Sequence, residues 1–395
     1  MSVLATEPAV SADDLLSEAK IGAKDGAGKT CVVAMSGGVD SAVTALVMRE
    51  RGYRVVGINL RLFSAENVEH RGNPCCGIPA MEDARRTCAQ MGVSFYAINM
   101  ETEFNAAVID RFVNDYAEGR TPNPCLECNR HVKFRHLVQR ARLLGADCLA
   151  TGHYARIVLG DPDRGRPHRL FRARDQTKDQ SYVLYALDQA QLGFVRFPLG
   201  NLRKSEVRQL ARTFDLPVAD KPESQEICFV GGGTYAEFVA SRRPDVSRPG
   251  DVVDADGQIM GRHRGLVGHT VGQRRGLGIA AKNPLYVLRL EPITNRVVVG
   301  SREDAAAHSL KVDAIAMIAD ASLGTTFEAD GVVRYRGTAA RCTVAFDAAT
   351  GREATITFAQ PGPISSPGQA VVFYRDDEVL GGGTITQVTT VGSLA

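Results

Sequence analysis

The chain has no long hydrophobic run and little net charge. No apolar stretch approaches the ~20 residues of a membrane-spanning helix, so we expect no membrane association. The net charge is +2, so an RNA or DNA partner has to bind a local basic surface, because the field of the whole molecule is weak. Residues 1–28 contain neither the basic start nor the apolar centre of a signal peptide, and we expect them to form a disordered extension.

The chain also has no second Cys-x-x-Cys motif. Its nine cysteines, in a sequence without an export signal, indicate a reducing compartment. Cys125 and Cys128 have the spacing of half a zinc site, but the missing second half disfavours zinc. Four cysteines in apolar strand or helix patterns are predicted core residues: Cys31, Cys88, Cys148 and Cys342. The others lie in polar or Pro/Gly-rich surroundings and need another explanation: Cys75, Cys76, Cys125, Cys128 and Cys228.

The most informative segment is the glycine-rich stretch Ser36–Ser41, which follows the apolar run Cys31–Met35. A strand, a glycine-rich turn and a helix in this order form a cradle for phosphate groups. Gly37 and Gly38 let main-chain N–H groups approach an anion without interference from a Cβ atom. The side chain of Asp40 has the chemistry to hold a magnesium ion against those phosphates. The sequence therefore predicts a nucleotide-binding loop here, with an ordinary tight turn as the alternative.

Strand and helix patterns alternate between residues 31 and 151, and short β-prone runs follow residue 228. The alternation predicts a parallel sheet covered by helices, and the short runs predict an antiparallel barrel or sandwich. We therefore predict an α/β fold: a doubly wound parallel sheet (residues 29–228), a small β-rich central domain (229–305) and a C-terminal antiparallel β-barrel (306–395). The predicted strands of the parallel sheet are Cys31–Met35, Arg54–Leu60, Ser94–Asn99 and Asp147–Thr151, and the predicted helices are Ser41–Arg51, Ala80–Met91, Glu103–Glu118 and Lys133–Leu144.

Two further segments present cysteines. Thr121–Asn129 (Thr-Pro-Asn-Pro-Cys-Leu-Glu-Cys-Asn) falls between two predicted helices, and its prolines predict a stiff, extended loop. Ser224–Phe229 (Ser-Gln-Glu-Ile-Cys-Phe) offers another thiol.

Ligands of open parallel sheets bind beyond the carboxyl ends of the strands. We therefore expect Thr151–Tyr154, after the fourth strand, to open into the same crevice as the glycine-rich loop.

With these segments, the chain resembles the tRNA-specific 2-thiouridylases, a family of PP-loop ATPases with an adenine nucleotide α-hydrolase-like domain. The resemblance runs from about Thr30 to the C-terminus. Several independent motifs in the same order make chance agreement a poor explanation. The motifs are Ala34–Ser41, the Pro-Asn-Pro of residues 122–124, Ala150–Tyr154, Lys178–Tyr182, Ser224–Phe229, Gly272–Gly278, Pro367–Gln369 and Leu380–Gly383.

The resemblance implies a cytoplasmic, monomeric enzyme that uses ATP and Mg²⁺. It implies a reaction in which the 2-oxygen of the wobble uridine is replaced by sulfur in the tRNAs for Lys, Glu and Gln, with the anticodon arm held by the protein. ATP adenylates the oxygen, and pyrophosphate leaves into the glycine-rich loop. The persulfide-bearing cysteine of the family corresponds to Cys228, loaded by a sulfur carrier or a cysteine desulfurase. Its other catalytic cysteine corresponds to Cys128, which would close a transient disulfide as sulfur is handed over.

The resemblance also carries over binding residues. The implied nucleotide contacts are Ala34, Met35, Ser36, Gly37, Gly38, Val39, Asp40, Ser41, Leu60 and Gly152. The implied tRNA contacts are Asn123, Pro124, Cys125, His153, Lys178, Asp179, Gln180, Arg334, Tyr335 and Gln369.

One position departs from the family pattern, because Cys125 stands where many members have aspartate. A carboxylate there would orient the base or accept a proton, which a thiol does less well. An alternative is that Cys125, Cys128 and Cys228 ligate a [4Fe–4S] cluster with one iron open for sulfide. For Cys75 and Cys76, we favour chance surface thiols or a packing feature over a catalytic role.

Two rival functions belong to other classes. The first is a PP-loop enzyme that adenylates a small metabolite, which leaves Cys128, Cys228 and the C-terminal barrel unexplained. The second is a non-catalytic RNA-binding iron–sulfur or zinc protein, against which the intact Ser36–Ser41 loop argues.

Overall fold

The computed structural model describes residues 24–63, 77–222, 227–230, 233–319, 323–347, 349 and 351–393. Cys75, Cys76 and the first three residues of Ser224–Phe229 lie outside the described residues. Residues 24–28, at the end of the predicted extension, form a turn in which Gly26 N donates a 3.1 Å hydrogen bond to the carbonyl of Arg51. Asp25 pairs with the Arg51 guanidinium. These residues are therefore ordered against the first helix of the fold.

A five-stranded parallel sheet forms the first layer: the parallel sheet is confirmed, and a fifth strand, Val195–Arg196, joins the four that were predicted. Its strands follow the order β3-β2-β1-β4-β7, so the chain order reverses between β1 and β4. In open sheets of this kind, the crevice for a ligand opens at that reversal, beyond the carboxyl ends of the strands. The first seven strands of the chain are β1 (Thr30–Ala34), β2 (Arg54–Arg61), β3 (Ser94–Asn99), β4 (Cys148–Ala150), β5 (Arg156–Val158), β6 (Arg169–Phe171) and β7 (Val195–Arg196).

The helices cover this sheet, and the predicted ones differ from the observed ones by about two residues at their ends. The exceptions are two π-helical turns, Asn105–Ile109 and Cys128–Lys133, which interrupt longer helical stretches. The α-helices are Val39–Glu50, Ile78–Gln90, Glu101–Phe104, Asp110–Ala117, Pro124–Glu127, Phe134–Leu143, Gln189–Phe194, Lys204–Thr213, Tyr235–Arg242 and Arg302–Ala305. Short 3₁₀ turns are Pro162–Arg164, Ser181–Leu184, Pro244–Val246, Leu266–Gly268 and Val391–Ser393.

The prediction of an extended loop at Thr121–Asn129 is wrong for the residues after Asn123. The chain turns helical at Pro124 and stays helical through Leu143. Asn123 is the N-cap residue, and its side chain accepts a 3.3 Å hydrogen bond from Leu126 N. Asparagine at the N-cap and proline at the first helical position are a helix-start signature. The second proline therefore begins a helix instead of prolonging an extended segment.

Two β-structures make up the rest of the chain, as predicted. The central one is a four-stranded sheet of order β10-β11-β8-β9, and the C-terminal one is an antiparallel barrel of six strands that closes by pairing β12 with β17. The strands are β8 (Gly250–Val253), β9 (Ile259–His263), β10 (Tyr286–Glu291), β11 (Arg296–Gly300), β12 (Ala307–Met317), β13 (Thr326–Val332), β14 (Ala340–Phe346), β15 (Ala354–Gly362), β16 (Ala370–Arg375) and β17 (Glu378–Thr390).

A hairpin from the first domain extends the barrel sheet, which the sequence patterns did not predict. β5 and β6 lie between β4 and β7 in the chain, yet β6 pairs with β17 of the barrel through Leu170 and Val379. Arg169 and Glu378 add a bidentate ion pair across this junction. Both strands have only three residues, too few for a period of two to be recognised.

The predicted core cysteines are confirmed. Cys31, Cys88, Cys148 and Cys342 are at most 2% exposed. Burial raises the pKa of Cys88 and of Cys342 to about 12, so both thiols stay protonated at neutral pH. Among the described residues, no helix is both long and apolar enough to cross a membrane.

Candidate functional site

The glycine-rich loop forms the tight turn that the sequence predicts at the carboxyl end of β1. Gly37 has φ +76°, a conformation that favours glycine, and a Cβ atom there would lie 1.9 Å from the carbonyl oxygen of Ala80. The helix Val39–Glu50 starts directly after Gly38, so its N-terminus faces the loop. Main-chain N–H groups and the positive end of a helix dipole thus converge at this turn, which suits it to bind phosphate.

The two serines of the loop hold its shape. Ser41 Oγ accepts a 3.2 Å hydrogen bond from Ser36 N and donates a 2.9 Å bond to the carbonyl of Gly38. The Ser36 and Ser41 hydroxyl oxygens are 3.3 Å apart. A serine at each end therefore closes the turn before a ligand arrives.

Asp40 is the acidic residue of the loop, and two side chains from distant elements hold its carboxylate. Lys204 Nζ lies 2.7 and 2.8 Å from its two oxygens, and the Tyr154 hydroxyl donates a 2.8 Å bond to Oδ1. Gly152 permits the approach of this strand end, because a Cβ atom there would lie 3.0 Å from the Asp40 carbonyl carbon. One carboxylate beside phosphate oxygens is a common magnesium-binding arrangement, so Asp40 fits that ion.

A second lysine reaches the loop from a later segment. Lys221 Nζ donates a 3.0 Å hydrogen bond to the carbonyl of Gly37 and a 2.7 Å bond to Asp83. Sequence analysis missed both Lys204 and Lys221. Neither belongs to a recognisable motif, and a lysine at the start of an amphipathic helix is normally a solvated residue.

The other predicted nucleotide contacts line the same edge of the sheet. Met35 N donates a 2.8 Å hydrogen bond to the carbonyl of Ile58, which joins the end of β1 to β2. Leu60, one residue before the end of β2, is half-buried and packs against the hydrophobic cores on both sides of it. Ala34 ends β1 and is also half-buried.

Cys128 and Cys228 lie against one hydrophobic cluster. Cys128 is 7% exposed inside it, and Cys228 packs on it with part of its surface accessible. The centre is a set of aromatic rings with centroids 5.1–5.9 Å apart in the pairs Phe63–Phe104, Phe104–Phe229 and Phe112–Phe229. Leu60 and Leu62, from the carboxyl end of β2, join the cluster. The glycine-rich loop and the two cysteines therefore share the carboxyl edge of the sheet.

Cys125 differs from these two thiols. It is exposed, whereas Cys128, one helical turn later, is buried. Within the described ranges, no group of three or more His, Cys, Asp or Glu side chains has the arrangement of a metal site. Cys125, Cys128 and Cys228 as they stand therefore do not fit a three-thiolate cluster.

His153 is packed between the rings of Phe134 and Phe197, with centroids 5.6 and 5.8 Å away. Its Nδ1 lies 2.7 Å from the Thr151 hydroxyl. Burial, together with the positive charge of Lys133, lowers the pKa of His153 to about 3. The imidazole is therefore neutral at physiological pH and positions its surroundings without carrying a charge.

The predicted tRNA contacts at residues 178–180 belong to one folded loop. Gln180 and Tyr154 exchange two hydrogen bonds, of 2.9 and 3.0 Å. Asp179 is buried, and its oxygens accept hydrogen bonds from Ala173 N and from the hydroxyl of Ser181. Burial raises the pKa of Asp179 despite these bonds. Its carboxylate organises the loop, while Lys178 is half-buried.

The structure brings this loop next to predicted contacts from the barrel. The exposed Tyr335 lies 6.3 Å from Tyr182, centroid to centroid, and the adjacent Arg334 is exposed as well. Tyr182 in turn donates a 2.8 Å hydrogen bond to the carbonyl of Ala370, which follows Gln369. The predicted contacts of the first and last domains therefore adjoin, although their roles toward RNA stay predictions.

Known proteins are similar to this chain over most of its length. Three family models match in succession: the tRNA methyl transferase HUP domain over residues 29–232, the tRNA methyl transferase PRC-barrel domain over 236–301, and the Aminomethyltransferase beta-barrel domain over 307–385. Proteins named tRNA-specific 2-thiouridylase MnmA are similar over nearly their full length. The protein of Geobacter metallireducens is 48% identical over 92% of this chain and 98% of its own. That of Carboxydothermus hydrogenoformans is 44% identical over 90% and 97%.

Proposed function

The chain belongs to the tRNA-specific 2-thiouridylase family, and we propose that it transfers sulfur to carbon 2 of the wobble uridine in the tRNAs for Lys, Glu and Gln, using ATP. The observation that carries this proposal is the shared edge of the parallel sheet. An anion-binding loop follows β1, and the thiols of Cys128 and Cys228 lie against one cluster at the end of β2. An enzyme that adenylates a base and then delivers sulfur to it needs these two functions side by side.

The first step activates the base. The 2-oxygen of uracil attacks the α-phosphorus of ATP, an O–P bond forms, and pyrophosphate leaves. Main-chain N–H groups around Gly37 and the N-terminus of helix Val39–Glu50 stabilise the charge of the departing pyrophosphate. Mg²⁺, held through Asp40, would supply further neutralisation of the phosphates. Adenylation converts the 2-oxygen, which is a poor leaving group, into part of AMP, which is a good one.

The second step delivers sulfur. The terminal sulfur of a persulfide on Cys228 attacks carbon 2, and the Cys128 thiolate attacks the inner sulfur. The S–S bond of the persulfide breaks, AMP leaves, and a Cys128–Cys228 disulfide forms. The two electrons that reduce the transferred sulfur come from the two cysteines. An external thiol then reduces the disulfide, and a sulfur carrier or cysteine desulfurase reloads Cys228.

The location of the thiols supports this route over an iron–sulfur cluster. Cys128 and Cys228 pack against the same hydrophobic cluster, while Cys125 is exposed. A buried cysteine and a partly accessible one are suited to a transient disulfide, since the second can be loaded from outside. The flipped uridine would be read by the loops around Asn123 and Gln180.

Nucleoside mass spectrometry of unmodified tRNA-Glu tests the proposal. The metal-free enzyme is incubated with ATP, MgCl₂ and a persulfide donor, and 2-thiouridine is quantified at the wobble position. We expect product from the wild type and from Cys125→Ala, because the persulfide route uses only Cys128 and Cys228 whereas a cluster would also need Cys125. We expect none from Cys128→Ala or Cys228→Ala. Product that requires anaerobic cluster reconstitution and Cys125 would establish the cluster route instead. AMP release without RNA, on a small metabolite, would point to the other class of PP-loop enzyme.

A further inference from the structure

The ammonium of Lys204 forms a bidentate ion pair beside the glycine-rich loop. Its ammonium lies within 2.8 Å of both oxygens of the Asp40 carboxylate, and the side chain is 11% exposed. Its ammonium also lies 5.8 Å from the centre of the Tyr154 ring. No family motif quoted above contains this residue, which starts the helix Lys204–Thr213.

The ion pair conflicts with the role expected of Asp40. A magnesium ion bound through this carboxylate would compete with the ammonium for the same two oxygens, because both cations need direct contact. Without a cation, the carboxylate would repel the phosphates that the neighbouring N–H groups attract. Before nucleotide binds, a positive charge is therefore needed beside the Asp40 carboxylate. Once a metal ion neutralises that carboxylate, the ammonium is no longer needed there.

The backbone of Lys204 is fixed while its side chain is long. Lys204 N donates a 2.9 Å hydrogen bond to Asp175 Oδ2, which anchors the helix start independently of the ammonium. Four methylene groups and a compact charge with three donors allow the ammonium to change partners within a few ångströms. Asp40 lies in the first turn of the helix that follows the glycine-rich loop, so the ammonium that contacts it is close to the phosphate-binding N–H groups of that turn.

We propose that Lys204 is a phosphate-binding residue of the nucleotide site, held by Asp40 until nucleotide and metal arrive. With the Asp40 carboxylate engaged by Mg²⁺, the Lys204 ammonium would move to a phosphate oxygen of the nucleotide. The proposal rests on ATP use, which is part of the proposed function. It adds a residue that binds nucleotide and a reason why it is paired with the metal-binding carboxylate beforehand.

A double-mutant cycle on Asp40 and Lys204 distinguishes a phosphate-binding lysine from a purely structural ion pair. ATP binding is measured by calorimetry without tRNA, once in EDTA and once with excess MgCl₂. The proteins are the wild type, Asp40→Asn, Lys204→Met and the double variant Asp40→Asn/Lys204→Met. Lys311→Met, an exposed lysine on β12 of the barrel, controls for the loss of one positive charge. Thermal unfolding establishes that each variant is folded.

The decisive comparison is Asp40→Asn against the double variant in EDTA. Asp40→Asn removes the carboxylate that holds the ammonium, so the ammonium can contact a phosphate oxygen, and we expect ATP to bind about tenfold tighter than to the wild type. Removing Lys204 from that background should weaken binding by about tenfold or more. This comparison stays valid if Lys204→Met alone fails to fold, since neither Asp40→Asn nor the double variant leaves the Asp40 carboxylate without its cation. With MgCl₂, Asp40→Asn should gain less affinity than the wild type.

Equal ATP affinities of Asp40→Asn and the double variant would overturn the proposal, because Lys204 would then only neutralise Asp40. That result would leave the proposed function intact, provided that the wild type binds ATP. A wild type that binds no ATP in either buffer would overturn the proposed function together with this inference.

Discussion

The Ser366 hydroxyl donates a 2.8 Å hydrogen bond to the hydroxyl of Thr121, a residue 245 positions earlier in the chain. The side chain of Gln369 donates a 2.9 Å bond to the Thr121 carbonyl. Thr121 lies two residues before Asn123, which caps the helix of the Cys-x-x-Cys motif. The last domain thus fixes the start of the helix that carries a proposed catalytic thiol.

Ser366→Ala should lower the free energy of unfolding by about 1 kcal/mol, because it removes a buried hydrogen bond. Thr121→Val should have a similar effect, and the double variant should cost less than the sum of the two. Urea unfolding measures all three free energies. Ser94→Ala, which removes an exposed hydroxyl on β3, is the control and should be neutral. Strict additivity of the two changes would mean that the hydroxyl pair contributes nothing.

Gly37→Ala should abolish tight ATP binding. The substitution combines φ +76° with a clash at 1.9 Å, so the loop has to move away from Ala80. Gly28 is a matched control, since it also has φ +76° but has open space around its Cβ direction. Gly28→Ala should cost about 1 kcal/mol in stability and leave ATP affinity unchanged. Calorimetry and urea unfolding give the two quantities; equal losses of affinity in both variants would refute the importance of the close approach.

Acid should destabilise the protein through His153. Its pKa of about 3 lies below the value of ~6.5 for an unfolded histidine, so the unfolded chain binds the extra proton between these values. The free energy of unfolding therefore rises with pH between about 3 and ~6.5. On acidification below pH ~6.5 it falls by up to ~1.4 kcal/mol per pH unit. His153→Gln should flatten this limb in urea unfolding at a series of pH values. The exposed His308→Gln is the control; an unchanged slope in His153→Gln would contradict the assignment.

Leu170→Ala should destabilise the junction between the hairpin and the barrel. Leu170 is fully buried and lies opposite Val379 in the sheet, so truncation leaves a cavity that costs about 2–5 kcal/mol. Leu159, 48% exposed in the same connection, provides the control, and Leu159→Ala should change stability little. The measurement is thermal and urea unfolding of the full chain. Similar small effects for both leucines would show that the junction is not part of the cooperative unit.

Much of the fold followed from local patterns. The strand at Ser94–Asn99 has the predicted bounds, and the turn at Gly37 is the one that the motif required. What the sequence did not reveal depends on distant contacts. The pairing of Lys204 with Asp40 links residues 164 positions apart, and no local pattern distinguishes this lysine from a solvated one. The helix at Pro124 is a different case, because Asn123 before Pro124 is a helix-start signal while two prolines flanking Asn123 also fit an extended segment.

The hairpin of β5 and β6 has a consequence for the synthesis of the chain. Its partner strand, β17, is made much later, since the paired residues Arg169 and Glu378 are 209 positions apart. The edge of β6 is therefore open while the residues between them are synthesised. Open edges of this kind invite association with other chains. Nascent chains should therefore depend on chaperones until β17 has been made, and termination of translation before β17 would leave the edge at Leu170 unpaired.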